Sequence, residues 1–251
     1  MLGTGLVELV HEQRAAFAAH VASARAAGHA VGSSGVESCQ DVVSAIPSVA
    51  SYLADPRLIG AVSELFGPGH RITSTSGIVT HPGAPRGGWH ADWPYNQRIG
   101  SHLPEPYGDA VLHVSAIFML SDFTESNGAT LVVPGSHRRA SNPSGGRAGH
   151  QADSPHPAEK PVIGSPGTVL LFDARLWHCR GPNRGDEPRV ALLCRYAPWW
   201  LNLEVRRPGS PEQKAIIDTG GRDNSVPLLE RAVFEALPEN AKPLFRHWVT
   251  S

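Results

Sequence analysis

His90 and Asp92 stand two residues apart in the run Gly88-Trp89-His90-Ala91-Asp92-Trp93, which reads as a β-strand. Successive strand side chains alternate faces, so these two project the same way and can reach one metal ion. One more histidine would complete a two-histidine, one-carboxylate set, which leaves coordination positions open on a non-haem iron(II). The competing reading is a plain histidine–aspartate hydrogen bond on a strand, and the pair alone favours it. Among thirteen histidines, His178 has the best context for a third ligand. It closes the short run Leu176-Trp177-His178, just after a strand-and-turn sequence from Gly167 to Asp173. Eleven residues further on, Arg189 opens the apolar strand Val190-Ala191-Leu192-Leu193-Cys194. A buried arginine is costly unless it is paired, and a carboxylate is its best bidentate match. Together these residues offer three metal ligands and an anchor for an organic acid.

Two kinds of sequence surround them. Up to about residue 69 the chain is alanine-rich and helical in pattern, with Leu6, Val7, Val10, Phe17, Val21 and Ala24 at helical spacing. A further helix is predicted over Asp55 to Phe66, ended by Gly67-Pro68-Gly69. From about residue 70 to 200 the pattern changes to short β-rich runs bounded by glycine, proline, asparagine or aspartate. They are Arg71–Thr80, Gly88–Trp93, Val111–Leu120, Ala129–Val133, Thr168–Phe172, Leu176–Cys179 and Arg189–Tyr196. Many short strands with turn signals indicate a sandwich or jelly roll. Residues 226–248 look helical again. The expectation is one domain over 1–251, mainly β with flanking α-helices. Pro94 to Gly108 and Arg138 to Gly164 read as long loops, which in compact domains are functional lids or disordered segments.

Composition excludes several classes. The net charge is −1, and no lysine–arginine block marks a nucleic-acid footprint. Cys39, Cys179 and Cys194 are too few and too far apart for a disulfide framework or a CxxC site, which fits a reducing compartment. No leader pattern and no apolar run of bilayer length is seen, so the expected location is cytoplasmic, with no membrane partner.

The order His90-x-Asp92, His178, Arg189 resembles the phytanoyl-CoA dioxygenase (PhyH-like) family of iron(II)- and 2-oxoglutarate-dependent oxygenases. Ser126-Asn127-Gly128-Ala129-Thr130-Leu131-Val132-Val133-Pro134-Gly135-Ser136-His137-Arg138 is similar to the family's central block, N-G-x-[LT]-x-x-x-P-G-S-H. Four motifs thus fall in family order between about Gly77 and Trp200. The resemblance implies a double-stranded β-helix, a distorted cupin-like jelly roll. It implies Fe(II) held by His90, Asp92 and His178, and 2-oxoglutarate anchored by Arg189, with Thr130 as a second contact. With O2 the expected outcome is hydroxylation of an unactivated C–H bond of a small molecule, releasing succinate and CO2. Asp92 fills the place that family halogenases leave small, which argues against halogenation.

Two positions depart from the family pattern. Arg180 stands two after His178, where many members carry a small or hydroxyl residue that helps hold 2-oxoglutarate. Gly87 stands three before His90, where several relatives have glutamine. Arg98, Arg180 and Arg195 are candidates to face an acidic group on the substrate, against the simpler reading of solvated or structural arginines. Trp93 is a candidate wall of the substrate pocket. Trp89, Trp177 and Cys179 should point away from the metal, and His137 reads as part of a structural turn. The same machinery could desaturate, epoxidise or close a ring. A non-catalytic metal-binding jelly-roll module, or a hydrolase or isomerase at the same triad, are the other readings. No basic groove for coenzyme A is evident, which tilts the expectation to a free small molecule of natural-product metabolism.

Overall fold

Short runs rich in β-branched and aromatic residues, cut by glycine and proline, fold here as antiparallel strands. The computed structural model describes residues 19, 35–40, 42–93, 110–139, 142–143, 154–221 and 223–250. The N-terminal helix expected around Leu6 to Ala24, the loop from Pro94 to Gly108 with Arg98, and much of the loop from Arg138 to Gly164 lie outside these residues. The strands are β1 (Val36–Cys39), β2 (Arg71–Thr80), β3 (Val114–Met119), β4 (Thr130–Val132), β5 (Lys160–Pro161), β6 (Val169–Asp173), β7 (His178–Arg180) and β8 (Arg189–Ala197). One sheet runs β1-β2-β8-β3-β6 and a second runs β5-β4-β7. The strand expected over Gly88–Trp93 is reduced to one antiparallel bridge, His90 to His178, on the free edge of β7. With that edge counted, two antiparallel sheets face each other as a double-stranded β-helix.

The five-stranded sheet has two different faces, and β8 shows why. Val190, Leu192, Cys194 and Tyr196 belong to the main apolar core. Arg189, Leu193 and Arg195, which alternate with them, line a cavity between the sheets. Against the core face pack the helices α1 (Val42–Ala45), α2 (Ala50–Leu53) and α3 (Pro56–Phe66) and, from the C-terminal part, α5 (Arg231–Ala236) and α6 (Lys242–Phe245), while α4 (Pro211–Asp218) lies against the 3-10 turn over Glu204–Arg206. Buried Val42, Leu53, Val62, Leu244 and Phe245 are their contributions to the core. The hydroxyl of Tyr196 donates to Leu53 O at 2.7 Å, tying β8 to α2. Helix α3 starts where its sequence says: Asp55 accepts from Arg57 N at 2.9 Å, and Pro56 needs no partner in the first turn. Its end is Gly67, at φ +71°.

Helix α4 was not anticipated, although its start is marked. Ser210 accepts from Gln213 N at 3.0 Å, and the Gln213 side chain accepts from Gly209 N at 2.7 Å. The helical tail expected over residues 226–248 is two short helices and a 3-10 turn over Arg246–Trp248. Among the described residues, no helix is long and apolar enough to cross a membrane.

Two outcomes follow from this packing. Leu192 is 1 % exposed in the centre of the sheet. Leu192→Ala is expected to cost about 2–5 kcal/mol in urea unfolding, whereas Ile217→Ala on the exposed side of α4 stays within about 0.5 kcal/mol. The second concerns His247, whose Nε2–H donates to Ile72 O at 2.8 Å. Burial, helped by the nearby Arg71, pushes its imidazole down to about 4. The unfolded ring titrates near 6.5, so its contribution to stability is complete above that pH and is lost as pH falls from 6.5 towards 4. The urea midpoint should decline through this window, and His247→Gln should remove part of the decline, on the order of 2 kcal/mol.

Candidate metal centre and its cavity

His178 leads β7 and faces inward; Cys179, next along, faces outward. The outward side is apolar: Trp89, Ala91, Leu131, Val133, Trp177 and Cys179 form one buried cluster. Burial pushes the Cys179 thiol up to about 12, so it is no thiolate ligand. The Pro134-Gly135-Ser136 turn docks β7 in place, because the Ser136 hydroxyl accepts from Trp177 N at 2.8 Å. Gly135 sits at φ +80°, a conformation that explains the glycine of this block.

His90 and His178 exchange backbone hydrogen bonds of 3.0 and 2.9 Å. Asp92 N then donates to Ala174 O at 2.7 Å, which fixes the third side chain relative to the other two. The result is a cluster of His90, Asp92 and His178 whose donor atoms all lie within 4.8 Å of one another. The Nε2 atoms of His90 and His178 lie 3.9 and 3.8 Å from the Asp92 oxygens. Two donors each about 2.0–2.2 Å from one ion can be at most about 4.4 Å apart, so both separations are compatible with a shared ion. Each ring also has its Nδ1 against a carbonyl, Gly88 O at 3.0 Å for His90 and Leu176 O at 2.9 Å for His178. A neutral imidazole that donates from Nδ1 keeps its Nε2 lone pair for a metal. Burial, then His90, pushes His178 down to about 4, which favours that neutral form near pH 7. Two imidazoles and one carboxylate, with no thiolate, fit iron(II).

Asp92 is almost fully buried, and three strands supply what it needs. Phe172 on β6, Ser115 on β3 and Arg195 on β8 stand in one cross-strand row. Ser115 Oγ donates to Asp92 Oδ2 at 2.7 Å, and Arg195 donates to both oxygens, at 3.2 and 2.5 Å. Burial opposes ionisation of this carboxyl, but Arg195, the two histidines and Ser115 outweigh it and hold Asp92 well below the usual carboxylate range. Ser115 was missed in the sequence. Its signal was a lone hydroxyl inside the otherwise apolar strand Val114–Met119. Arg195 lines the cavity, and its guanidinium is engaged by Asp92, the structural role set against a substrate contact in the sequence reading. Trp93 is buried with its ring 6.3 Å from His113, and it does not line the cavity.

The cavity beside the cluster has a volume of about 150 Å³ and extends along β8 to Arg189. Arg189 is 3 % exposed. Its Nε donates to Gly128 O at 3.0 Å, and its guanidinium lies 4.7 Å from the centre of the Phe123 ring. Among the described residues, no carboxylate pairs with it. Burial, then Arg180, pushes it down to about 9, the mark of a buried cation without a counter-charge. Gly128 holds φ +85°, and a Cβ there would meet Thr80 Cγ2 at 3.1 Å, so the Asn-Gly-Ala-Thr block needs its glycine to present this carbonyl. Thr130 on β4 pairs with Arg180 on β7, and both line the cavity.

The Arg195–Asp92 pair makes the metal-free protein testable. Arg195→Met keeps most of the side-chain bulk and leaves a buried carboxylate facing Ser115 and the two imidazoles. Breaking such a pair costs about 3–5 kcal/mol when buried, less here because Arg195 is partly exposed. Thermal melts should show the variant destabilised without metal, and nickel(II) should raise its midpoint more than it raises that of the wild type.

Similarity to known proteins agrees with this geometry. The family model "Phytanoyl-CoA dioxygenase (PhyH)" matches residues 9–191. Dioxygenase af480 of Aspergillus fumigatus is 30 % identical over 190 residues, covering 68 % of this chain and 56 % of its own length. Dioxygenase trt7 of Aspergillus terreus is 32 % identical over 148 residues, covering 55 % and 46 %. The chain thus spans about half the length of these curated relatives. Among solved structures, iron-bound EctD from S. alaskensis superposes with a TM-score of 0.60 at 22 % identity, covering 79 % of this chain and 70 % of that one. HygX from Streptomyces hygroscopicus, with nickel, 2-oxoglutarate and hygromycin B bound, gives 0.55 at 19 % identity, covering 84 % and 86 %. Both likenesses are of fold. With the family model matched over most of its length, the chain belongs to the phytanoyl-CoA dioxygenase (PhyH) family.

Proposed function

We propose that the protein is an iron(II)- and 2-oxoglutarate-dependent oxygenase that hydroxylates an unactivated C–H bond of a small molecule, releasing succinate and CO2. One observation carries this reading. A single cavity has the His90–Asp92–His178 cluster at one end and Arg189, a buried cation with no carboxylate partner among the described residues, at the other. Metal and acid anchor are therefore placed to hold one ligand between them. Bound iron(II) would activate O2 for attack on a C–H bond.

The chain's own residues divide the remaining work. His178 and Asp92, both buried, and His90 at the cavity mouth would hold the ion; Ser115 and Arg195 orient Asp92. Arg189 would bind the distal carboxylate of 2-oxoglutarate, and Thr130 lies beside that end. The volume near the metal is below the 300–1,000 Å³ of most drug-sized ligand sites, so it suits the small co-substrate. A larger cavity of about 570 Å³ adjoins it through Phe172. Leu65, Val111, Leu171 and Phe172 give it apolar walls, and Arg138 and Arg175 give it cations. The substrate would sit there: an organic molecule with an apolar part to meet these walls. The three cysteines are free and buried, which suits a reducing compartment, and the proposed location is cytoplasmic.

The test needs no substrate. Under anaerobic conditions, iron(II) plus 2-oxoglutarate should give a weak visible charge-transfer band, and with O2 the protein should release succinate slowly. His90→Ala should abolish both while keeping the melting midpoint of the metal-free protein. Arg189→Met should weaken 2-oxoglutarate at least tenfold, the loss of a charge-assisted bidentate contact. A folded, metal-loaded wild type that shows neither band nor succinate overturns the reading.

A further inference from the structure

Arg180 and Gly87 are the two positions at which the chain departs from its family's pattern, and the structure places them in contact. Gly87 N donates to Arg180 O at 2.9 Å. A Cβ on Gly87 would stand 3.4 Å from Arg180 Cβ and 3.7 Å from its guanidinium carbon. A bare Cβ fits, but a longer side chain grown from it would run into the guanidinium. The two departures thus form one change: a side chain is removed at residue 87 and a guanidinium is placed at residue 180.

Arg180 lines the same inner cavity as Arg189. Arg180 projects from β7 on the same side as His178, about 7 Å further along the strand. It lines the cavity together with Thr130 and Arg189, and its charge reaches Arg189, the deeper of the two. Nη2 donates to Pro85 O at 3.0 Å, which fixes the plane of the group. Nε is buried without a hydrogen-bond partner. Two arginines line this cavity, and among the described residues neither has a carboxylate partner. A carboxylate can serve both, since its two oxygens offer about four acceptor sites.

We propose that Arg180 is a second co-substrate-binding residue, forming with Arg189 a two-arginine clamp on the distal carboxylate of the 2-oxo acid. This rests on the oxygenase reading above. The clamp makes the site demand a dicarboxylic 2-oxo acid more strictly than one arginine and a hydroxyl would. Gly87 is a positioning residue that leaves the room Arg180 occupies.

Calorimetric titration of the nickel-loaded full chain tests this, with 2-oxoglutarate and with 2-oxopentanoate, which lacks the distal carboxylate. Arg180→Ser is expected to weaken 2-oxoglutarate tenfold or more and to leave 2-oxopentanoate within about twofold. Arg180→Lys should recover part of the lost preference. Gly87→Gln should reproduce the loss, and combining it with Arg180→Ser should add nothing, as expected of coupled sites. Equal losses for both acids, or no loss for either, overturn the role of Arg180 while leaving the oxygenase reading intact. A nickel-loaded wild type that fails to bind 2-oxoglutarate overturns both.

Discussion

The buried carboxylate of Asp92 is the constraint around which the rest is arranged. A charge taken out of water must be met by opposite charge and hydrogen bonds, or the group gives up its ionisation. Here the answer comes from Ser115 on β3 and Arg195 on β8, neighbours across one strand pair. Backbone bonds from Asp92 and Trp93 to Ala174 hold the segment from the other side. The ligand is therefore shaped before any metal arrives, and the two central strands are committed to a register that keeps Ser115 and Arg195 side by side.

The second sheet solves a different problem with less structure. Its edge next to β7 is a single bridge at His90, followed by glycine-poor, tightly bonded backbone that leads to Asp92. His178 sits on a regular strand and is nearly closed off, while the His90 side chain is 45 % exposed. One histidine is thus part of the framework and the other stands at its rim. The outward cluster of Trp89 and Trp177, under Arg86 and Arg139 stacked on their rings, covers the far side of both.

Much of this was legible in the chain. Strand alternation groups His90 with Asp92, whereas His178 and Arg189 were joined to them by context and by the family resemblance; the structure brings His90, Asp92 and His178 together. The strands over Arg71–Thr80, rich in β-branched residues, and Arg189–Ala197, largely apolar, follow the runs expected for them almost to the residue. The run around His90 looked like a strand because its residue types are those of one, but its pairing is limited to a bridge, which composition does not encode. Ser115 and the outer cavity were hidden because they depend on which strands become neighbours, a long-range fact. The contact between Gly87 and Arg180 was hidden for the same reason: 93 residues separate two positions that the bridge brings together. Helix α4 was legible and was passed over, since Ser210 and Gln213 mark its start in sequence.

The alternation along β8 has a further meaning. Arg195 grips the metal-binding carboxylate and Arg189 waits at the acid end, six residues apart on one face, about 20 Å between Cα atoms. Both line the same cavity, so the gap between them is set by the rise of a single strand. Val190, Leu192 and Cys194, interleaved on the other face, lock that strand into the core. The strand is in effect a ruler whose graduations cannot slide, because moving it by one residue would drive both arginines into the apolar layer. The distance between the two arginines is thus written into a buried central strand. The outer cavity takes its walls from the edge strand β6 as well as from helix and loop residues, so substitutions there can reshape it without moving either arginine.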